Sequence, residues 1–177
     1  MDPVSFENDN QVGLGVDVVE IDRVATILKR TPAFVQRVFT SQEIDYCKSR
    51  TNPATHFAMR FAAKEAISKA LGTGFSDGVK PIQIEIAKNA KGRPYVILHD
   101  RAKALAKEQN IIELPVSLSY THTEAVACVM ALTKEADMQV KKQQDSTDNL
   151  AQRFKEARLW LDDIDKNSPE GKQNEAI

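Results

Sequence analysis

The longest helical pattern in the chain runs from about Ala54 to Leu71, after the breaking dipeptide Asn52-Pro53. Gly72 marks its end, because glycine readily takes the left-handed conformation that closes a helix. A helix of this length must bury one face, so the rest of the domain has to supply a layer for it to pack on.

Strand patterns account for that layer. Apolar residues alternate with small or polar ones in five other segments, which predicts strands, and turn residues over Asn89–Gly92 predict a hairpin. Helical spacing recurs around Val24 and around Leu105, and Thr40 with Glu43 resembles a capping box. The strands are predicted at 11–19, 82–86, 93–98, 115–120 and 125–132. The order of strand, helices, hairpin, helix and hairpin favours an α+β fold, an antiparallel sheet with one long helix packed on it.

Composition restricts the class of protein. The chain has 177 residues, 42% of them hydrophobic and 28% charged, as in an ordinary globular protein. A net charge of −1 gives no nucleic-acid signature, and no apolar run is long enough to span a bilayer. The N-terminus is polar and acidic, unlike a secretory signal. Cys47 and Cys128 lie far apart without CxxC spacing, which argues against a metal cluster or disulfide framework and favours the cytoplasm.

The chain changes character after Thr133. Residues 1–133 are predicted to form the main domain, and 134–177 a charged linker, with a possible helix over 148–164 and a disordered end. Leu150, Phe154 and Leu161 contribute to an apolar stripe at helical spacing in this tail.

Asp17 is the first candidate for chemistry, because it interrupts an apolar strand. A carboxylate there is costly to bury unless it is paired or bound to a cation. The alternative is an aspartate that faces solvent at the strand end or caps the next helix.

Glu65 is the second candidate. At about 100° per residue it lies in line with the small or apolar residues Ala58, Phe61 and Ala62, and with Lys69 one turn later. On periodicity alone, an ordinary Glu–Lys pair on a solvated face explains it best.

Three cations on the same helix, Arg60, Lys64 and Lys69, crowd around that acid, a mixture suited to a divalent metal and a polyphosphate. Magnesium commonly takes one or two carboxylates with substrate phosphates and waters, and Asp17 and Glu65 could supply the carboxylates. A third feature is His122, flanked by Thr121 and Thr123 on a predicted bend. These side chains have donors for a phosphate, but the segment alone is weak evidence for a binding site.

Together these segments resemble the holo-acyl-carrier-protein synthase family, the small bacterial-type 4′-phosphopantetheinyl transferases. The helix matches its W/F-x-x-K-E-x-x-x-K pattern through Phe61, Lys64, Glu65 and Lys69. The matching strand, hairpin turn and late Ser/Thr/His segment are Gly13–Asp17, Asn89–Pro94 and Ser119–Thr123. The resemblance covers about Val12 to Thr133.

The resemblance implies that the protein transfers 4′-phosphopantetheine from coenzyme A to a serine of an apo-acyl-carrier protein, with magnesium as cofactor and adenosine 3′,5′-bisphosphate as the leaving product. It implies Asp17, Glu65 and Lys69 as catalytic residues, the two acids also holding the metal. The coenzyme A contacts that it implies are Arg60, Lys64, Gly72, Pro94, His122 and Thr123.

The resemblance also implies partners. The family typically forms trimers with sites between protomers, so His122 and Thr123 are expected to act from a neighbouring subunit. The carrier is acidic, and Arg23, Arg30 and Arg37 are expected to dock it, in a pathway such as fatty acid biosynthesis. Two alternatives stay open at this point: a coenzyme A-dependent acyltransferase, and a non-catalytic coenzyme A-binding interaction module.

Overall fold

The computed structural model describes residues 12–75, 78–138, 152 and 155. The chain divides into two compact units, residues 1–136 and 137–177. In the second unit Gln152 and Lys155 are helical. The rest of the predicted helix over 148–164, and the predicted disordered end, lie outside the described residues.

In the first unit a single strand is followed by a run of helices, a hairpin, one more helix and three strands. Its order is β1 (Val12–Glu20), α1 (Ile21–Arg30), α2 (Pro32–Val38), α3 (Ser41–Lys48), α4 (Pro53–Ala70), β2 (Ile84–Lys88), β3 (Pro94–Leu98), α5 (Asp100–Glu108), β4 (Ile111–Glu113), β5 (Val116–Tyr120) and β6 (Glu124–Thr133). The α+β prediction is confirmed.

All of the strand pairing within residues 12–75 and 78–138 is antiparallel and falls into two sheets. β6 is the central strand of the larger sheet, with β1 on one side and both β5 and β4 on the other. β2 and β3 form a separate two-stranded sheet. The predicted strand at 82–86 begins only at Ile84, because Pro81–Gln83 form a single 3₁₀ turn.

Small residues allow α4 to lie unusually close to the larger sheet. A Cβ added at Gly13 would sit 1.9 Å from the carbonyl oxygen of Ala70, and one at Gly15 would sit 1.9 Å from that of Ala66. The inner face of β6 is also lined mainly by buried alanines, among them Ala127. The backbones of helix and strand are therefore nearly in contact, and the side chains that flank the contact are brought close together.

Two local signals read from the sequence are present. Thr40 and Glu43 form a reciprocal capping box at the start of α3. Gly72 follows α4 with φ +75°, the left-handed conformation expected of a helix-ending glycine.

The outer face of the larger sheet is apolar and exposed. The alternation of β1 turns four side chains away from α4, and Met130 on β6 joins them. The four on β1 are Val12, Leu14, Val16 and Val18, which are 44–64% exposed. A contiguous apolar patch of this kind is typical of an interaction surface.

Candidate active site

Asp17 and Glu65 line one cavity of about 430 Å³ between β1, α1 and α4. Asp17 projects from the inner face of β1, two residues after Gly15, and its side chain is 15% exposed. Glu65 is half-buried on α4. It is next to Ala66, whose carbonyl oxygen leaves no room for a Cβ at Gly15. The close approach of helix and strand thus brings together two acids that are 48 positions apart in the numbering.

Lys69 joins this pair. Its ammonium donates to Asp17 Oδ1 at 2.8 Å and to the carbonyl oxygen of Val16 at 3.1 Å. The hydrogen bond to Asp17 raises the pKa of Lys69. Its side chain remains 52% exposed, so the charge is available to a ligand.

The electrostatics favour a further cation at the pair. Burial raises the pKa of Glu65, the charge of Asp17 raises it further, and Lys69 lowers it. One lysine therefore leaves the two acids incompletely neutralised. Their oxygens are hard donors of the kind that magnesium prefers.

The remainder of this cavity is mostly apolar, with Glu20 as a further carboxylate on its lining. Phe61, Phe34, Val24 and Ile27 lie on its wall, and Arg23 brings a cation to it. Arg30 is exposed seven residues after Arg23 on the same helix, and Arg37 is exposed on α2. Residues seven apart share a helix face, so Arg23 and Arg30 are directed to the same side of α1.

The structure corrects the expectation for Lys64. This side chain is fully buried, and its ammonium pairs with Glu43 at 2.8 Å and donates to the carbonyl oxygens of Pro81 and Ile84. Glu43 in turn accepts from the backbone nitrogens of Thr40 and Ile86. Lys64 has no donor left for a coenzyme A phosphate, because all its hydrogen bonds hold α3, α4 and the start of β2 together.

Arg60 lies at a second cavity, of about 490 Å³, which shares no lining residue with the first. Tyr46, Arg50, Lys88 and Gly92 also line it. Arg50 and Lys88 were missed in the sequence, since they come from separate elements. Basic residues just after a short helix and at the end of a strand are the only signal that the sequence offers for them.

Of the four remaining predicted residues, Pro94 is half-buried and the other three are exposed. Pro94 begins β3 and pairs with Lys88 at the hairpin. His122 and Thr123 are exposed in the turn between β5 and β6, where the Thr123 carbonyl accepts from the Ile21 nitrogen at 2.8 Å. Gly72 is exposed after α4. None of these four lines either of the two cavities described here.

The comparisons with known proteins agree with one another. A family model described as the 4′-phosphopantetheinyl transferase superfamily matches residues 13–129. The holo-[acyl-carrier-protein] synthase of Moorella thermoacetica is 46% identical over 116 residues, 66% of this chain and 90% of that protein.

Solved structures give the same result. That of the Neisseria meningitidis holo-[acyl-carrier-protein] synthase is 32% identical with a TM-score of 0.63, over 67% of this chain and 96% of that one. The Helicobacter pylori synthase, in complex with coenzyme A, is 33% identical with a TM-score of 0.59, over 66% and 96%.

Proposed function

The chain belongs to the 4′-phosphopantetheinyl transferase superfamily, and we propose that it transfers 4′-phosphopantetheine from coenzyme A to a serine of an apo-acyl-carrier protein. The observation that carries the proposal is the meeting of Asp17, Glu65 and Lys69 at one cavity. The relatives are named for this activity, and the Helicobacter pylori neighbour was solved with coenzyme A.

We propose magnesium as the cofactor, held by Asp17 and Glu65. Within residues 12–75 and 78–138 no group of three or more His, Cys, Asp or Glu side chains could hold a metal. Two carboxylates fit an ion that takes its other ligands from substrate phosphates and water. When bound, magnesium supplies positive charge to the diphosphate of coenzyme A.

In the proposed reaction the serine oxygen of the carrier forms a bond to the β-phosphorus of coenzyme A. The bond from that phosphorus to the bridging oxygen breaks, and the oxygen leaves on adenosine 3′,5′-bisphosphate. The serine proton passes to water or to a carboxylate at the acid pair. Lys69, fixed on one side by Asp17, places positive charge where the leaving phosphate gains negative charge.

We place the adenosine end of coenzyme A, with its 3′-phosphate, at the cavity of Arg60. Arg60, Arg50 and Lys88 supply positive charge there, and the turn that ends at Pro94 borders it. Arg60 and Glu65 are five residues apart on α4, so their side chains project about 140° apart around the helix. This separation supports an arrangement in which one coenzyme A molecule meets Glu65 of one subunit and Arg60 of another.

We accordingly propose a homotrimer with active sites between protomers. The exposed apolar face of β1 and β6, centred on Leu14 and Met130, supports contact with further copies of the chain. His122 and Thr123, exposed at the edge of this sheet, would reach the coenzyme A phosphates of a neighbouring subunit, and the exposed end of α4 at Gly72 those of its own. Sedimentation at several protein concentrations tests the assembly, and a stable monomer would contradict it.

We propose that the acidic carrier docks on α1 and α2. Arg23 lies at the cavity that holds both acids, while Arg30 and Arg37 extend the positive charge away from it. Reversing the charge with Arg23→Glu and Arg30→Glu should raise the KM for the carrier far more than the KM for coenzyme A. Equal changes in the two constants would move the docking surface elsewhere.

We propose that the acceptor is the acyl-carrier protein of fatty acid biosynthesis and that the reaction takes place in the cytoplasm. The relatives' names support the acceptor, and two free thiols, Cys47 and Cys128, suit a reducing compartment. No described helix is both long enough and apolar enough to cross a membrane.

Intact-mass measurement of apo-carrier, incubated with the protein, coenzyme A and magnesium, tests the function. The expected result is a gain of one phosphopantetheine, lost with EDTA and reduced about 10²-fold or more in Glu65→Gln. Glu113→Gln, on the exposed side of β4, is the matched control and should retain the activity.

The alternatives give different results in the same assay. A coenzyme A-dependent acyltransferase would leave the carrier mass unchanged with free coenzyme A; supplied with acyl-coenzyme A, it would add only the acyl group, release coenzyme A and not need the acid pair. An interaction module would bind coenzyme A without any gain in carrier mass. Either outcome would overturn the proposed transfer.

A further inference from the structure

Three cations surround one aromatic ring in the cavity of Arg60. The guanidinium carbons of Arg50 and Arg60 lie 4.2 Å and 4.0 Å from the centre of the Tyr46 ring, and the ammonium of Lys88 lies 5.4 Å from it. These side chains come from three places: the segment after α3, the middle of α4 and the end of β2. Tyr46, on α3, is what they have in common.

The described acids at this cavity do not neutralise these cations. Of the two carboxylates that line the cavity, Glu43 is paired with Lys64 at 2.8 Å and Glu85 lies 3.0 Å from His99 Nε2. In the part of the chain that the structure describes, none of the three cations around Tyr46 forms an ion pair.

Arg60 is the most constrained of the three. It is only 2% exposed, its Nε is buried without a hydrogen-bond partner, and one Nη donates weakly to the His56 carbonyl oxygen at 3.4 Å. A buried guanidinium with unused donors, beside two further positive charges, suits an anion with several acceptor oxygens.

We propose that Tyr46 is a positioning residue that holds Arg50, Arg60 and Lys88 together as a preformed phosphate-binding cluster. Like charges repel, and without a counter-ion the three side chains would separate. The negative face of the ring attracts them, so the ring holds the cluster in place before the anion arrives. A preorganised site binds more tightly because less ordering remains to be done on binding.

The hydroxyl group adds to this arrangement. Burial raises the pKa of Tyr46, but its hydrogen bond with Lys88 and the charges of Lys88, Arg50 and Arg60 outweigh burial, and the net pKa is lowered. The phenol is thus a polarised partner of Lys88 as well as an aromatic surface for the guanidinium groups.

This inference rests on the proposed function, which places the 3′-phosphate of coenzyme A in the cavity. The experiment compares Tyr46→Phe, Tyr46→Leu and Tyr46→Met with the original chain. It measures kcat and KM with coenzyme A and with 3′-dephospho-coenzyme A, using one apo-carrier. Tyr95→Leu, which removes an exposed tyrosine from β3, is the control, and thermal melting shows which variants are folded.

We expect Tyr46→Leu and Tyr46→Met to raise the KM for coenzyme A about tenfold, a change equivalent to about 1.4 kcal/mol. The kcat at saturating coenzyme A and the KM for 3′-dephospho-coenzyme A should change little. Tyr46→Phe keeps the ring and loses only the hydroxyl, so its KM should stay within about threefold of the original. Two variants without a ring are made so that at least one folded protein tests the role.

The possible failures are distinguishable. If carrier mass never increases, the proposed function is wrong. If transfer occurs but the original chain uses both forms of coenzyme A equally well, the cavity does not bind the 3′-phosphate and the inference fails with it. If the original chain discriminates and a folded variant without the ring discriminates equally, the cavity keeps its role and Tyr46 is not the residue that organises it.

Discussion

Gly15→Ala tests whether the contact between β1 and α4 sets the geometry of the acid pair. The added Cβ would lie 1.9 Å from the carbonyl oxygen of Ala66 and 2.9 Å from the backbone nitrogen of Ala70. Both neighbours are backbone atoms, so no side-chain rotation relieves the clash. Ordinary contact requires about 3.4 Å or more, and strand and helix must therefore separate by more than 1 Å.

That separation acts on both stability and catalysis. Overpacking of this kind typically lowers the free energy of unfolding by about 1–3 kcal/mol. Asp17 moves with the strand and Glu65 with the helix, so the distance between their carboxylates increases. A misplacement of about 1 Å can reduce a rate about 10²-fold, which is the loss expected here.

The assay measures initial rates by intact mass and stability by urea unfolding. Gly74→Ala is the matched control, because its Cβ would meet nothing within 4 Å although its φ is +58°. It should lose about 1–2 kcal/mol through backbone strain while it retains the rate. If folded Gly15→Ala transfers phosphopantetheine within threefold of the original rate, the close approach does not position the acids.

Three further predictions concern Lys64, the two cysteines and His56. Lys64→Met should lower the free energy of unfolding, measured with urea, by about 3–5 kcal/mol, because it leaves the Glu43 carboxylate buried and unpaired. The double variant with Glu43→Gln, which removes that charge, should recover part of the loss. Burial raises the pKa of Cys47 to about 11, so alkylation at pH 8 should spare it and modify the exposed Cys128. If the proposed trimer covers the outer sheet face, Cys128 should react more slowly as the protein concentration rises. Burial, followed by the charges of Arg60, Lys88 and Arg50, lowers the pKa of His56 below 6.5. The unfolded chain then binds more protons than the native one, so stability should fall as pH drops through 6.5, and by less in His56→Phe. Equal pH dependence of the two proteins would contradict the lowered pKa of His56.

The sequence was sufficient for features that depend on neighbours along the chain. The helical periodicity of α4 predicts that Glu65 and Lys69 lie on adjoining turns. The glycine-rich pattern of β1 predicts that Asp17 lies on a strand. The family and the enzyme class were predicted from the motifs, and the α+β fold from the order of strands and helices; all three are confirmed. Helix α2 and strand β4 were missed because they are short, and β4 exists only through its pairing with β6.

Contacts between residues that are distant in the sequence could not be predicted in this way. Lys64 stands next to Glu65 and has the same cationic character as Lys69, yet it is buried. Its partner Glu43 is 21 residues earlier, and the carbonyls that it bonds come from the start of β2. The cation cluster around Tyr46 is also formed by residues from separate elements, and no spacing in the sequence predicts it.

The composition of β1 makes sense only when both of its faces are considered. Glycine weakens a strand, because it has no side chain to pack and loses more conformational freedom on folding than other residues. Gly13 and Gly15 nevertheless stand on the inner face, where α4 leaves no room for a Cβ. Leu14 and Val16 on the outer face are exposed, so their apolar side chains contribute little hydrophobic stabilisation in an isolated protomer. The close approach of α4 accounts for the inner face, and the proposed contact with other protomers would account for the outer face. A single strand would thus connect assembly with catalysis, so a polar substitution at Leu14 should impair both.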